Sequence, residues 1–358
     1  MRSDYASLKR EVTSEKEDSD MNETKILKWG IVGASNIAKS WMINAINAQP
    51  DAKVAAVYSS SPERAKRFAA ETGIPKFYSS LDAFLADEEI DAVYIGTRND
   101  QHEAQTIAAA KRGKHVLCDK PLALSVDGAR KMIEACADAK VIFATNHHLR
   151  SSTIQRKLRA LIKAGVIGKP LAARSFFAVL LPEANRGWRT ESAEAGAGVV
   201  MDISVHVADT LRFVLDDDVQ EIIAFTANQG IAAPSIEDGV MGVMRFRSGV
   251  LAQFHDSFTV GNDLTGLQIH GTEGSLYAEE NLLQRPNGRI HLQRDGKREE
   301  IPVGTIENHY EFLIHEFIEA VHGHGCPFAT GEDGLKSVTI ATAILESSRT
   351  KRAVTLSA

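Results

Sequence analysis

Between Leu27 and about Thr145 the chain alternates short apolar runs with helix-like stretches, a rhythm that few folds tolerate. The runs "KWGIVG", "KVAAVYS", "DAVYIG", "HVLCD" and "VIFAT" are too short for helices and too evenly apolar for strands with one wet face. They read as strands buried on both sides. Ile37–Asn47, Pro62–Thr72, Gln101–Arg112 and Ser125–Ala139 carry helical patterns between them, with Pro62 suited to a first turn. Strands separated by helices run parallel with right-handed crossovers. The result is a doubly wound sheet whose ligand lies at the carboxyl ends of its strands.

The pattern then changes. A helix is expected over 153–164, stopped by Gly165. "LAARSFFAVLL", "VQEIIAFTAN", "VMGVMRFR", "VLAQFHDSF", "LTGLQIHG" and "SLYAEE" read as strands joined by Gly, Asn and Ser turns. They predict an open, mostly antiparallel sheet with helices on one face. A helix over 197–215 interrupts its start. Tyr310, Leu313, Ile314, Phe317, Ile318 and Val321 fall at helical spacing and read as a packing stripe. A last helix runs near 334–350. The expected fold is α/β: a charged, disordered tail over 1–24 (with Met21 an alternative start), a Rossmann domain over 25–147, and an α+β substrate domain over 148–358.

Composition narrows the function. A formal net charge of -6 over 358 residues argues against a nucleic acid or an anionic membrane as partner. No apolar run reaches the ~20 residues that span a bilayer. The tail lacks an apolar h-region, so it does not read as a secretory signal, and the expected location is cytoplasmic. Cys118, Cys136 and Cys326 show no C-x-x-C spacing, which fits a reducing compartment and no structural zinc. The adjacent His147 and His148 have no third ligand at a diagnostic spacing, so no metal is expected.

The stretch "LKWGIVGASNIAKSW" has the layout strand, glycine turn, helix. Of the three glycines in a dinucleotide fingerprint only Gly33 is present; Ser35 and Ala38 take the other two places. Gly33 permits the turn, the Ser35 hydroxyl can donate to a phosphate, and Ala38 still allows close packing. Gly33, Ser35, Asn36 and Ile37 are therefore the candidate pyrophosphate contacts at a helix N-terminus. The second strand ends "VYSSSPER", with no acid at its tip to hold a ribose 2′-hydroxyl. Ser59, Ser60 and Arg64 make a pocket for a 2′-phosphate instead, which favours NADP(H) over NAD(H). By itself the same turn would read as serines beside a solvated arginine.

Two segments could carry chemistry. In "CDKPLAL", Lys120 stands at the open end of the sheet, able to polarise a carbonyl, although position alone fits a surface lysine equally well. In "DISVHVAD", Asp202 and His206 are four apart, on one face of an ideal helix. A carboxylate beside an imidazole suits a general acid; a helix-surface pair without a role is the alternative. "NHHLR", Asn146 to Arg150, falls where the domains meet. "NRGWRT" offers Trp188 and Arg189, an aromatic face and a cation for a sugar or an amide, although Trp188 could equally be core.

Taken together, "GASNIA", "CDKPLAL", "NHHLR", "GWR", "DISVHVADTLRFVL", "EDGVMGVMRF" and "VLAQFHD" resemble the glucose–fructose oxidoreductase / inositol dehydrogenase (Gfo/Idh/MocA) family. The likeness runs from about Lys28 to the C-terminus. It implies hydride transfer from NADPH to a keto sugar, in a monomer or a homodimer. Lys120 and His206 would flank the carbonyl, with His206 the proton donor and Asp202 orienting it. Ser35 would meet the pyrophosphate, and Ser59 and Arg64 the 2′-phosphate. Thr97, Asn99 and His102 would line the cofactor, Trp188 and Arg189 would close over its nicotinamide end, and Asn146 and His147 would join the substrate site. Asp119 replaces the family's usual glutamate before lysine–proline, and Arg98 a common proline. An NAD(P)-dependent inositol or polyol dehydrogenase and a non-catalytic NADP-binding sensor are the competing readings.

Overall fold

The architecture comes from a computed structural model that describes residues 26–261, 265–285 and 287–356. The expected tail over 1–24, with Met21, lies outside the described residues. The first sheet has six parallel strands: β1 (Leu27–Val32), β2 (Ala52–Tyr58), β3 (Lys76–Tyr78), β4 (Ala92–Ile95), β5 (His115–Asp119) and β6 (Phe143–Asn146). Their order is β3-β2-β1-β4-β5-β6, reversing between β1 and β4, and the crevice of a doubly wound sheet opens at that reversal. All four residues of β4 are buried, as a strand covered by helices on both faces requires.

The helices start where their caps stand. Ser61 accepts from the Arg64 amide and Pro62 fills the first turn of Pro62–Thr72, which ends at Gly73 in the left-handed region (φ 71°). Ser125 accepts from the Gly128 amide to open Val126–Asp138.

The second sheet has nine strands: β7 (Pro170–Ala178), β8 (Val219–Ala227), β9 (Gly239–Phe246), β10 (Leu251–Ser257), β11 (Gly266–Gly271), β12 (Ser275–Glu279), β13 (Arg289–Arg294), β14 (Lys297–Ile301) and β15 (Val354–Thr355). Their order is β14-β13-β12-β11-β7-β10-β9-β8-β15. Only β7 and β10 pair in parallel; the other neighbours are antiparallel. The inner face carries the helices Thr153–Lys163, Val205–Leu215 and Gly331–Thr350 over one apolar core. The outer face leaves Leu171, Ile223, Phe225, Met241 and Leu251 exposed.

Four strands, β3, β13, β14 and β15, were not expected from the sequence. The helix His309–Val321 also crosses the expected boundary. It follows the second domain in sequence, but Tyr310, Leu313, Ile314, Phe317 and Ile318 pack into the core of the first sheet. Phe317 meets Trp29 of β1 at 4.9 Å between ring centroids. A division at 147/148 describes the chain order but not the packing.

Candidate active site

The site is assembled from the segments that follow β1, β2, β4, β5 and β6 at the carboxyl end of the first sheet and from the second-domain segments Trp188–Glu191, Val200–Ser204 and Val205–Leu215. Gly33 ends β1 with φ 105°, and a Cβ there would lie 2.8 Å from Thr97 Cγ2, so the turn needs glycine. The Ser35 hydroxyl accepts from the Ala38 amide at 3.4 Å and caps the next helix. Asn36 is exposed and Ile37 half-buried at the helix start. These groups fit a pyrophosphate: a helix N-terminus opens at the crevice, over a turn with no room for a side chain.

At the end of β2, Ser59 is buried, Ser60 is exposed, and Arg64 is exposed without an ion pair among the described residues. No carboxylate stands at the tip of β2, so a 2′-phosphate would meet hydroxyls and a guanidinium there.

The loop after β4 has a different role from the one its sequence suggests. The Thr97 hydroxyl donates to Gln105 at 2.6 Å. Asn99 is buried and donates to the Gly196 carbonyl at 3.2 Å, fastening the two domains together. His102 is fully buried, with its ring nitrogens 2.9 Å from the Pro121 carbonyl and 3.3 Å from the Thr97 carbonyl. It ties the loop after β4 to the loop after β5 and presents no ring nitrogen to a ligand. Arg98 pairs with Asp100 at 2.8 Å.

After β5, Asp119 is a hub. It accepts from the Lys120 amide at 2.9 Å, from the Tyr94 hydroxyl at 3.0 Å and from Asn146 at 3.3 Å. Asn146 is thus a support for this loop. The Lys120–Pro121 bond is cis. The Lys120 ammonium donates to the Asp202 carboxylate and to the Asp202 carbonyl, each at 2.7 Å. Arg189 stands 3.7 Å from the same carboxylate and 4.5 Å over the Trp188 ring. Burial opposes the charge on Asp202, but Lys120 and Arg189 outweigh it and hold the carboxyl below its ordinary range.

Asp202 and His206 do not pair as ideal helical spacing predicts. The segment Val200–Ser204 is a π-type wide turn ahead of Val205–Leu215. An extra residue in a turn rotates the helix before it relative to the helix after it. Asp202 therefore faces Lys120 and Arg189, while His206 faces rings: His148 at 5.0 Å and Phe177 at 6.4 Å. Burial above all, then Lys120, His148 and His147, push the His206 imidazole well below its ordinary range. It is held neutral, against the expectation of an imidazole charged by a neighbouring carboxylate.

The two adjacent histidines also exchange roles. His147, expected at the substrate, is buried against the helix Gly331–Thr350, with Nε2 2.9 Å from the Ser337 hydroxyl. His148 stands beside His206 and is backed by Tyr310, stacked at 4.8 Å, which in turn stacks on Trp41 at 5.4 Å. A continuous run of rings thus joins the helix of the phosphate loop to His206. Sequence reading missed His148 and Tyr310 as part of the site. Among the described residues no cluster of three or more His, Cys, Asp or Glu could hold a metal ion.

A dinucleotide crevice facing a lysine, a carboxylate and a neutral imidazole defines a nicotinamide-dependent oxidoreductase. Comparison with known proteins agrees. Residues 27–147 match the model of an oxidoreductase family with an NAD-binding Rossmann fold, and residues 155–277 match the GFO/IDH/MocA C-terminal domain. The chain belongs to the Gfo/Idh/MocA family of oxidoreductases. It is 46% identical to 1,5-anhydro-D-fructose reductase of Ensifer adhaerens, over 91% of this chain and 97% of that one. It is 26% identical to myo-inositol 2-dehydrogenase of Thermotoga maritima, over 92% and 98%. Among solved structures, levoglucosan dehydrogenase in complex with NADH and levoglucosan superposes with a TM-score of 0.82 at 24% identity, over 93% of this chain and 100% of that one, which shows the shared fold.

Proposed function

We propose that this enzyme reduces the ketone of a keto sugar with NADPH, converting 1,5-anhydro-D-fructose into 1,5-anhydro-D-mannitol. The observation that carries the reading is the Lys120 ammonium clamped on Asp202 at the open end of the sheet, beside the neutral His206. The 46% identity to the Ensifer adhaerens reductase supports the substrate. The serines and Arg64 after β2, with no acid at its tip, support NADPH.

Bound NADPH supplies the hydride. Lys120 donates a charge-assisted hydrogen bond to the carbonyl oxygen and draws electron density from the reacting carbon. Asp202 keeps the ammonium in place. Trp188 and Arg189 shield the nicotinamide end from water. As the carbon takes the hydride, the oxygen becomes an alkoxide; the neutral His206 ring takes a proton from the Lys120 ammonium or from solvent at one nitrogen and passes one to the alkoxide from the other. The ring ends neutral as it began, solvent returns the proton to Lys120, and the alcohol leaves.

The test is NADPH oxidation, followed by absorbance, with 1,5-anhydro-D-fructose and a panel of keto sugars, repeated with NADH. Fast oxidation with anhydrofructose and little with NADH is expected. Tight NADPH binding with no ketone reduced would move the reading to polyol oxidation with NADP⁺, and next to a sensor. The outer face of the second sheet is what a homodimer would cover. Sedimentation at working concentration distinguishes it from a monomer.

A further inference from the structure

The wide turn that aims Asp202 is held at both ends by acids that take no part in the reaction, the half-buried Glu237 and the buried Asp256. At its start, the Val199 amide donates to the Glu237 carbonyl at 3.1 Å and the Val200 amide to the Glu237 carboxyl at 3.2 Å. A Cβ on Gly198 would lie 2.1 Å from Glu237 Oε1, so the carboxyl and the chain are in close contact there. At its end, the Ser204 hydroxyl donates to Asp256 at 2.6 Å. Ser204 and Asp256 are both fully buried.

Neither acid has a salt-bridge partner among the described residues. Asp256 lies on β10, opposite Phe177 of β7, whose ring flanks His206. Its second oxygen meets no polar protein atom among the described residues. Burial raises its carboxyl to about 7, with the Ser204 bond working against the rise. A group this costly to bury, bonded to the end of the wide turn, needs a function that an apolar side chain would not serve.

We propose that Ser204, Asp256 and Glu237 are positioning residues: they pin the two ends of the turn 200–204 and so set the aim of Asp202 at Lys120. An ideal helix would return Asp202 to the face of His206, and Lys120 would lose both of its bonds to residue 202. The inference rests on reading Lys120, Asp202 and His206 as the reacting set.

Two readouts on the full chain test it, and the first needs no turnover. The rate at which trinitrobenzenesulfonate labels Lys120, mapped by peptide mass, reports whether Asp202 still holds the ammonium. In Ser204→Ala and Asp256→Ala labelling rises several-fold, and kcat falls about tenfold to about a hundredfold while the KM for NADPH stays within about twofold. Asp256→Asn, which keeps an acceptor for Ser204, restores both. Unchanged labelling and kcat in the two alanine variants would overturn the proposal. So would an asparagine variant as damaged as the alanine one, because the loss would then be one of packing. If Ser204→Ala does not fold, Glu237→Ala against Glu237→Gln asks the same question at the other end of the turn. A wild-type protein that reduces no keto sugar would sink the functional reading alone, and the labelling would still decide this one.

Discussion

The two sides of the wide turn differ in how they treat charge. On one side stand Lys120 and Arg189, both within 3.7 Å of the Asp202 carboxylate. On the other stand His206, His148 and Tyr310, rings packed on rings, with both imidazoles pushed well below their ordinary range by burial. Asp202 and His206 are only four residues apart, so chemistry along the chain does not explain the contrast. The environment does: a cation at hydrogen-bond distance stabilises a carboxylate, and a dry aromatic wall disfavours an imidazolium. The proposed ketone reduction would use both, a cation at the oxygen and a wall that keeps water from the hydride.

The largest effect should come from breaking the charged side. Lys120→Met removes the donor at the carbonyl and leaves the Asp202 carboxylate facing the growing alkoxide. A loss of about a thousandfold in kcat/KM is expected in steady-state kinetics. A loss below about tenfold would take Lys120 out of the chemistry.

Next comes the ring side. His206→Ala should lower turnover by about a hundredfold and leave NADPH affinity, measured by fluorescence titration, near wild type. The pH profile sharpens the comparison. If reduction requires an imidazolium at His206, its depressed pKa makes kcat/KM fall as pH rises from about 6 to about 8. A flat profile over that range fits a ring that starts neutral and relays the proton from Lys120. Arg64→Ala tests the cofactor separately, and it should weaken NADPH binding by about 1–3 kcal/mol while NADH binding hardly changes. An equal loss for both would remove the 2′-phosphate assignment.

Much of the fold was legible because periodicity survives burial. The helix Pro62–Thr72 was read to the residue from its helical pattern and from Pro62 in its first turn. The hairpin β13–β14 was missed although Asp295 and Gly296 at its turn, both at positive φ, are a strong hairpin signal. Its strands carry little apolar signal: β13 buries only Ile290 and Leu292, and β14 is exposed along Lys297–Glu300. In the site, Lys120 and Asp202 were legible as one set, while Arg189, expected with Trp188 at the nicotinamide end, stands by the same carboxylate. The pairing of Asp202 with His206 was not, because the wide turn breaks the four-residue spacing on which it rested. Choosing between His147 and His148 was also beyond sequence, since it turns on Tyr310, far along the chain, stacking behind one of them.

The neutral side also sets how stability depends on pH. His102, His147, His148 and His206 have lowered pKa values in the fold, chiefly by burial, and His309 falls to about 4. The unfolded chain binds these protons first, so their contribution is present above about pH 6.5 and is lost as pH falls through the folded values. Asp256 acts oppositely. Raised to about 7, it contributes stability below the ordinary aspartate value of about 3.9 that is lost as pH rises through about 7. Thermal melts of the wild-type protein should therefore drop between about pH 6.5 and about pH 4. His309→Gln should soften that acid fall, by about 3 kcal/mol at most. Asp256→Asn should act at the other end: relative to wild type its melting temperature should climb from about pH 4 to about pH 7 and level off above that. Melting temperatures that stay parallel across that range would mean that Asp256 is already ionised in the fold, and the contrast between a charged and a neutral side of the turn would then not extend to the acid beneath it.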